Sequence, residues 1–186
     1  MTKNSNIYKE KTLLSLKMVI FNETWTIIDI TEKEIYVRWH DYAYQDDLTS
    51  AELLIEKHPR NAIVLGYYAM HNIAKKYLGE VFSIKIPQDD THSVTLRALK
   101  EKIDREVTRK RVLELMKKAQ EEYEIFSKPK PGLLSALLRH GRAERVAHSY
   151  YQSEKEAEKR TQSDKAKEFI NTIVKPFIKI MKELDV

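Results

Sequence analysis

AIVLGYYAMHNIAKKYL, the stretch from Ala62 to Leu78, has a helical pattern that is apolar on nearly every side through Met70. A helix without a polar face is stable only when other elements surround it. The 186 residues include only four glycines and five prolines. These are too few for the turns of a loop-rich barrel or sandwich, or for a glycine-rich nucleotide cradle. The sequence therefore predicts an all-α protein in which other helices enclose this one.

Further helical patterns lie on both sides of the central stretch. Before it, apolar side chains recur every three or four positions from Tyr42 onward, and His58-Pro59 is expected to end that helix. After it, Gly79 is expected to end the central helix and Thr91 to begin the next one. The apolar stripes of the last three expected helices are Val94, Ala98, Leu99 and Ile103; then Val112, Met116, Ala119, Tyr123 and Phe126; and finally Ala166, Phe169, Ile173, Phe177, Met181 and Leu184, with a kink expected at Pro176.

These patterns predict an up-and-down bundle of five to six helices over residues 41–186, preceded by an N-terminal extension over residues 1–40. In the extension, Thr24 to Trp39 contains two β-branched and aromatic runs around a polar turn, so a small hairpin is one expectation there. No stretch approaches the roughly 18 consecutive apolar residues of a membrane span. Since the chain also has no cysteine, we expect a cytoplasmic protein with no membrane partner, no disulfides and no thiolate metal site.

The excess positive charge lies towards the C-terminus. The net charge is +5, and residues 139–182 contain 11 basic and six acidic side chains, which gives the same +5. A local cationic surface fits a polyanionic partner such as RNA. A solvated helix face with Glu–Lys pairs would give the same pattern, so charge alone leaves both interpretations open.

A change of apolar phase occurs within the basic region. The leucines from Leu133 to Leu138 point one way and the apolar residues after Gly141 point another, so a helix break is expected at Arg139-His140-Gly141. Polar groups that then face solvent or a partner are Arg142, Arg145, His148, Ser149 and Gln152.

Arg142 and His148 are candidates for metal-independent RNA cleavage. An imidazole can take a proton from the 2′-hydroxyl or give one to the leaving oxygen, while a guanidinium holds the phosphate. The two residues are six positions apart, which places them about 120° apart around a helix. Two such helices packed across a two-fold axis would bring both sets into one cleft, so a homodimer is expected.

Three parts of the sequence resemble the HEPN family, a set of small helical-bundle proteins widespread in archaea and bacteria. The helix Ala62–Leu78, with Tyr67-Tyr68-Ala69-Met70 at its core, is similar to the family's buried helix. Arg142 followed by His148-Ser149-Tyr150 resembles the family's motif of an arginine, four to six residues and a histidine. Residues from Ala166 to Ile170 resemble its last helix.

The resemblance implies a metal-independent endoribonuclease, often a toxin of a toxin–antitoxin pair, that acts as a homodimer with a composite cleft. It implies that Arg142 holds the phosphate and that His148 is the general acid or base. Arg145, Ser149 and Gln152 are then expected to contact the RNA substrate. Tyr150 matches the tyrosine that a minimal nucleotidyltransferase antitoxin adenylylates in such pairs.

The sequence also departs from the family pattern. Five residues separate Arg142 from His148 where four are usual in similar nucleases, and Ala143 replaces a polar residue. One alternative is therefore a non-catalytic HEPN module that binds a nucleotide or a minimal nucleotidyltransferase partner, and another is a purely structural bundle. No P-loop or dinucleotide fingerprint is present, so no cofactor is expected.

His71 and His92 are two further histidines that are candidate functional residues. His71 lies in the apolar stretch, where a hydrogen-bonded core histidine is a simpler interpretation than a catalytic one. Asp89, Asp90 and His92 together carry metal-ligating atoms, but Asp90 or Thr91 serves more simply as the cap of a helix. We therefore expect no metal site.

Overall fold

The computed structural model describes residues 25–87, 91–127 and 162–184. Helices account for 86% of these residues, which confirms the predicted all-α helical bundle. None of these helices combines the length and the apolar character that crossing a membrane requires. The helices are α1 (Ile30–Leu54), α2 (Pro59–Phe82), α3 (Thr91–Lys102), α4 (Glu106–Ser127) and α5 (residues 162–184).

Helix α2 is the centre of the bundle, as its apolar sequence predicts. It packs against α1, α3, α4 and α5. Thirteen of its 24 residues are buried, which is what a helix enclosed on all sides requires. The predicted stripes of the later helices also face the core, with Val94, Ala98, Leu99, Ile103, Val112, Met116, Ala119, Ala166, Phe169, Phe177 and Met181 buried and Tyr123, Phe126, Ile173 and Leu184 partly buried.

The hairpin expected over Thr24–Trp39 is wrong over the described part of that stretch. Strand β1 (Thr26–Ile27) instead pairs in antiparallel fashion with β2 (Ile84–Lys85), which directly follows α2. Residues from Ile30 onward form α1, so the first helix of the bundle begins inside the region assigned to an N-terminal extension.

Helix α1 begins at Ile30, in place of the expected hairpin, because Asp29 caps its N-terminus. Its carboxylate Oδ1 accepts hydrogen bonds from the backbone N–H of Thr31 at 2.9 Å and from the Thr31 hydroxyl at 2.7 Å. An aspartate at the N-cap satisfies donors that the first helical turn leaves free, and Glu32 in that turn suits the helix dipole. The cap therefore outweighs the β propensity of the isoleucines that surround it.

The sequence predicts that α2 ends at Gly79, but the helix continues to Phe82. The helix ends at Ser83, whose φ of 54° is left-handed and whose N–H donates to the Gly79 carbonyl at 3.1 Å. A Cβ atom on Gly79 would lie 2.9 Å from the Tyr36 ring of α1. The Tyr36 hydroxyl accepts a hydrogen bond from the backbone N–H of Ile86 at 3.2 Å, which restrains the ring. The glycine is therefore needed for the close approach of α1 and α2.

Replacing Gly79 by alanine is expected to lower the free energy of unfolding by up to about 2 kcal/mol. Overpacking costs about 1–3 kcal/mol, and the better helix propensity of alanine offsets about 1 kcal/mol of it. Urea denaturation of the variant and of Asn61→Ala, an exposed position on the same helix, measures the effect. A Gly79→Ala protein that is more stable than the wild type would contradict the steric role.

The expected irregularity of the last helix takes the form of a π-helical turn. Residues Ile170–Val174 are π-helical, and the N–H of Lys175 donates to the Ile170 carbonyl. Pro176 follows directly, has no N–H, and in a regular α-helix its ring would collide with the carbonyl four residues earlier. The wider turn removes that collision, so Pro176 shapes α5 without ending it.

Candidate functional site

The functional residues predicted from the sequence lie outside the described residues. Their arrangement, and whether they come together, therefore remain predictions. These residues are Arg142, Arg145, His148, Ser149, Tyr150 and Gln152.

The structure does locate both ends of the segment 128–161 that carries them. At one end, the Arg60 guanidinium donates to the Phe126 carbonyl near the end of α4. At the other end, the Ser163 hydroxyl donates to the Ile55 carbonyl at 3.1 Å. Both contacts involve residues next to the connection between α1 and α2. The described residues on either side of this segment therefore lie at the same end of the bundle.

A groove of about 270 Å³ lies between α4 and α5 near these attachments. Phe126 and Phe169 form apolar parts of its wall, while Glu122, Lys165 and Glu168 supply charge of both signs. The groove is thus not a cationic pocket of its own. Its three charged side chains offer no net positive charge to a phosphate.

A second cluster of polar side chains, with the buried His71 at its centre, lies on what we call the polar face of α2. Its members are Tyr68, His71, Asn72 and Lys75, which the 3.6-residue period places on one side of the helix. Polar residues in the middle of a buried helix need partners on its neighbours. Those partners come from α1, α3 and α4.

His71 pairs with His92 of α3. The Nε2 atom of His71 lies 3.0 Å from Nδ1 of His92, and His71 is only 3% exposed. The prediction of a hydrogen-bonded core histidine is therefore confirmed. Nδ1 of His71 is buried and has no hydrogen-bond partner among the described residues. Burial holds the pKa of His71 well below its usual range, with smaller contributions from His92 and Lys75, so the ring is neutral at pH 7.

Three tyrosines, Tyr67, Tyr68 and Tyr123, join α2 to α4 beside the histidine pair. The Tyr67 ring stacks on Tyr123 with centroids 4.4 Å apart and on His92 with centroids 5.2 Å apart. The hydroxyls of Tyr68 and Tyr123 lie 3.2 Å apart. This hydrogen bond, together with burial, raises the pKa of Tyr68 to about 12, and burial raises the pKa of Tyr67. Both phenols remain protonated at neutral pH.

A chain of hydrogen bonds connects Asn72 to α1. Nδ1 of His40 lies 2.9 Å from Oδ1 of Asn72, and Nδ2 of Asn72 donates to Asp47 at 2.8 Å. Since Oδ1 of Asn72 only accepts, Nδ1 of His40 carries the proton. Burial lowers the pKa of His40 to about 4, although its bond to Asn72 opposes this shift. Burial also raises the pKa of Asp47.

The polar face of α2 is suited to positioning helices rather than to binding a phosphate. His40 and His71 are uncharged at pH 7, and burial also lowers the pKa of the Lys75 ammonium. Over the described ranges, no three side chains of metal-ligating type come together, and Asp89 and Asp90 lie outside those ranges. The sequence signal for this network is the spacing of polar residues within an otherwise apolar stretch.

The buried histidines make the stability of the protein depend on pH. In the unfolded chain His40 binds a proton near pH 6.5, but in the folded protein only near pH 4. The unfolded state therefore binds more protons between these values, so stability falls as the pH falls. We expect His40 alone to remove about 2 kcal/mol between pH 7 and pH 5, and His71 to act in the same direction.

Urea denaturation at pH 7 and pH 5 tests this expectation. His40→Gln should reduce the pH effect, whereas His58→Gln, a change at an exposed histidine, should leave it unchanged. Equal stability of the wild type at the two pH values would show that these rings are not buried in the neutral form.

No protein-family model matches the chain, and no curated protein or solved structure is significantly similar to it. The HEPN resemblance therefore rests on the sequence motifs alone.

Proposed function

We propose that this protein is a HEPN-type endoribonuclease that cleaves RNA without a metal ion, as a homodimer with Arg142 and His148 of both chains in one cleft. The main support for the proposal is that Tyr67-Tyr68-Ala69-Met70 lies in α2, the central helix of the bundle. The resemblance implies that this helix is buried in a bundle, and it forms the core of α2, with Tyr67, Ala69 and Met70 at most 1% exposed.

The charge distribution supports a polyanionic substrate. Residues 128–161 contain eight basic and four acidic side chains, a net charge of +4, whereas α1 contains two basic and six acidic side chains, a net charge of −4. The positive charge is thus concentrated in the segment that carries Arg142 and His148. A cationic surface of this kind attracts the RNA backbone and accelerates association.

In the proposed reaction, His148 removes the proton of a ribose 2′-hydroxyl, or donates a proton to the leaving 5′-oxygen. The 2′-oxygen attacks the adjacent phosphorus and the bond to the 5′-oxygen breaks. The products are a 2′,3′-cyclic phosphate and a 5′-hydroxyl. Arg142 holds the non-bridging phosphate oxygens, where negative charge increases in the transition state.

The polar neighbours of this pair complete the proposed site. Arg145, Ser149 and Gln152 contact the RNA on either side of the cleaved bond. Tyr150 is the proposed site at which a minimal nucleotidyltransferase antitoxin attaches an adenylyl group. The added phosphate would lie two residues from His148 and would repel the RNA backbone, which is a simple means of inhibiting a cytoplasmic toxin.

Cleavage of RNA by the purified protein in EDTA tests the proposal. We expect fragments with 2′,3′-cyclic phosphate ends, and no cleavage of the same RNA with 2′-O-methyl groups, because methylation removes the attacking hydroxyl. Equal cleavage of both substrates would contradict the mechanism. An absence of cleavage, with binding of a nucleotide or of a nucleotidyltransferase, would favour the non-catalytic module instead.

A further inference from the structure

Helix α1 is apolar on two opposite faces. Its inner face carries Tyr44 and Ala51, which are 5% and 0% exposed. Its outer face carries Ile35, Trp39 and Tyr42, which are 64%, 60% and 70% exposed. The spacing of four and three residues places these three side chains on one side of the helix. A helix with two apolar faces is expected to lie between two partners, and the described residues supply only the inner one.

The outer face has the features of a protein-binding surface rather than of scattered exposed residues. Tryptophan and tyrosine are the side chains that most often anchor interfaces. A concavity of about 370 Å³ lies beside them, lined by Ile35, Tyr36 and Trp39. An ion pair between Lys85 and Glu32, with Nζ and Oε2 3.0 Å apart, borders it. An apolar centre with a charged edge is the usual arrangement of an interface.

The N-terminal part of the chain is placed to cover this face. Residues 1–24 join the structure at Trp25, just before β1 and the first turn of α1. Seven of the nine residues from Leu13 to Phe21 are apolar. Three residues separate Phe21 from Trp25, so the four Cα–Cα steps between them reach up to about 14 Å. Residues 13–21 would extend over about 13 Å as a helix, and the distance along α1 from Ile35 to Tyr42 is about 10 Å, so the segment is long enough to cover the face.

Charge and position favour this segment over other occupants. Helix α1 has a net charge of −4, whereas residues 1–24 contain four lysines and two glutamates, a net charge of +2. Pairing of this face with the same face of a second copy would bring two α1 helices of −4 together, which is unfavourable. Residues 128–161 join the bundle next to the connection that follows α1, at the other end of that helix.

We propose that residues 13–21 of the same chain pack on the outer face of α1 and cover Ile35, Trp39 and Tyr42. The N-terminal region then forms the outer layer of the bundle, with α1 between it and α2. The proposal concerns a surface distant from the attachments of residues 128–161, so it stands independently of the nuclease function.

Trp39 itself reports on the contact, because the chain contains only one other tryptophan. In the full-length Trp25→Phe protein, acrylamide quenching measures the exposure of Trp39. We expect the Trp39 fluorescence to be shielded. In the same background, Leu16→Ser/Ile20→Ser should increase the quenching constant about threefold, because a side chain at an interface centre is almost fully covered, whereas Trp39 has an exposed fraction of 60% on the described surface of α1.

The matched control is Leu134→Ser/Leu138→Ser, which replaces two aliphatic residues by serine at the same spacing in residues 128–161. It should leave Trp39 shielded, and circular dichroism should show that both variants keep their helices. Three results would overturn the proposal: a Trp39 already exposed in the Trp25→Phe protein, exposure caused by the control pair, or shielding that disappears on dilution and so requires a second copy. The first and third results need no segment variant, so they remain decisive if a variant fails to fold.

Discussion

The His148→Ala variant is expected to cleave RNA in EDTA at least about 100-fold more slowly than the wild type, because general acid or base catalysis by a positioned side chain contributes about 10²–10⁴-fold. Arg142→Ala is expected to lose a factor of similar size, since it removes the proposed charge stabilisation at the phosphate. Initial rates on one RNA substrate, at equal protein concentration, measure both effects.

Two substitutions serve as matched controls for this experiment. His58→Ala removes an exposed histidine whose side chain makes no capping hydrogen bond to α2. Arg38→Ala removes an arginine whose side chain is 76% exposed and whose one described ion pair, with Glu34, is 4.0 Å long. Both controls should cleave at the wild-type rate. If His148→Ala and Arg142→Ala are as active as these controls, the residues assigned to the reaction are wrong.

Phe177→Ala is expected to destabilise the protein by about 3–5 kcal/mol. Phe177 is 0% exposed and lies in α5, which packs against the central helix α2. Truncating the ring removes buried apolar area and leaves a cavity that a close-packed bundle fills only in part. A loss of this size is a large fraction of the total stability of a small domain.

Urea denaturation at pH 7 measures the loss, with Val107→Ala as the control. Val107 is 84% exposed, so its truncation should change the stability by no more than about 0.5 kcal/mol. A Phe177→Ala protein within about 1 kcal/mol of the wild type would show that the core around α5 is not packed as described.

Much of the fold is predictable because helical burial follows the period of the sequence. The stripe from Val94 to Ile103 and the stripe that contains Phe177 both face the core as predicted. The enclosed position of α2 follows from its apolar residues on nearly all sides. In each case one local pattern is sufficient, because the helix itself places residues three and four positions apart on one face.

Two of the errors occur where a distant residue determines the local structure. Thr26 pairs with Lys85 across 59 positions of the chain, and no local pattern reveals that pairing. Gly79 has the sequence signal of a helix end but lies inside α2. A glycine stands at this position because the Tyr36 ring leaves no space for a Cβ atom. At Asp29 the local signal was present, since an aspartate three residues before a glutamate is typical of a helix start.

In the buried hydrogen-bond network, too, the local positions were predictable from the sequence and the contacts between helices were not. The core position of His71 was predictable from its apolar neighbours, but its contact with His92 depends on how α3 packs against α2. The chain from His40 through Asn72 to Asp47 was missed, because it requires the register between α1 and α2. Sequence periodicity assigns a residue to a face of its own helix and does not identify the residue opposite it.

The proposal that Arg142 and His148 act at one site is tested most directly by the cleavage rate of the Arg142→Ala/His148→Ala double variant, relative to the two single variants in EDTA. Groups that act in the same step are strongly non-additive. We therefore predict that the double variant is no slower than the slower single variant, within about threefold. A double variant whose loss equals the product of the two single losses would mean that the residues act independently, and would contradict a shared Arg–His site.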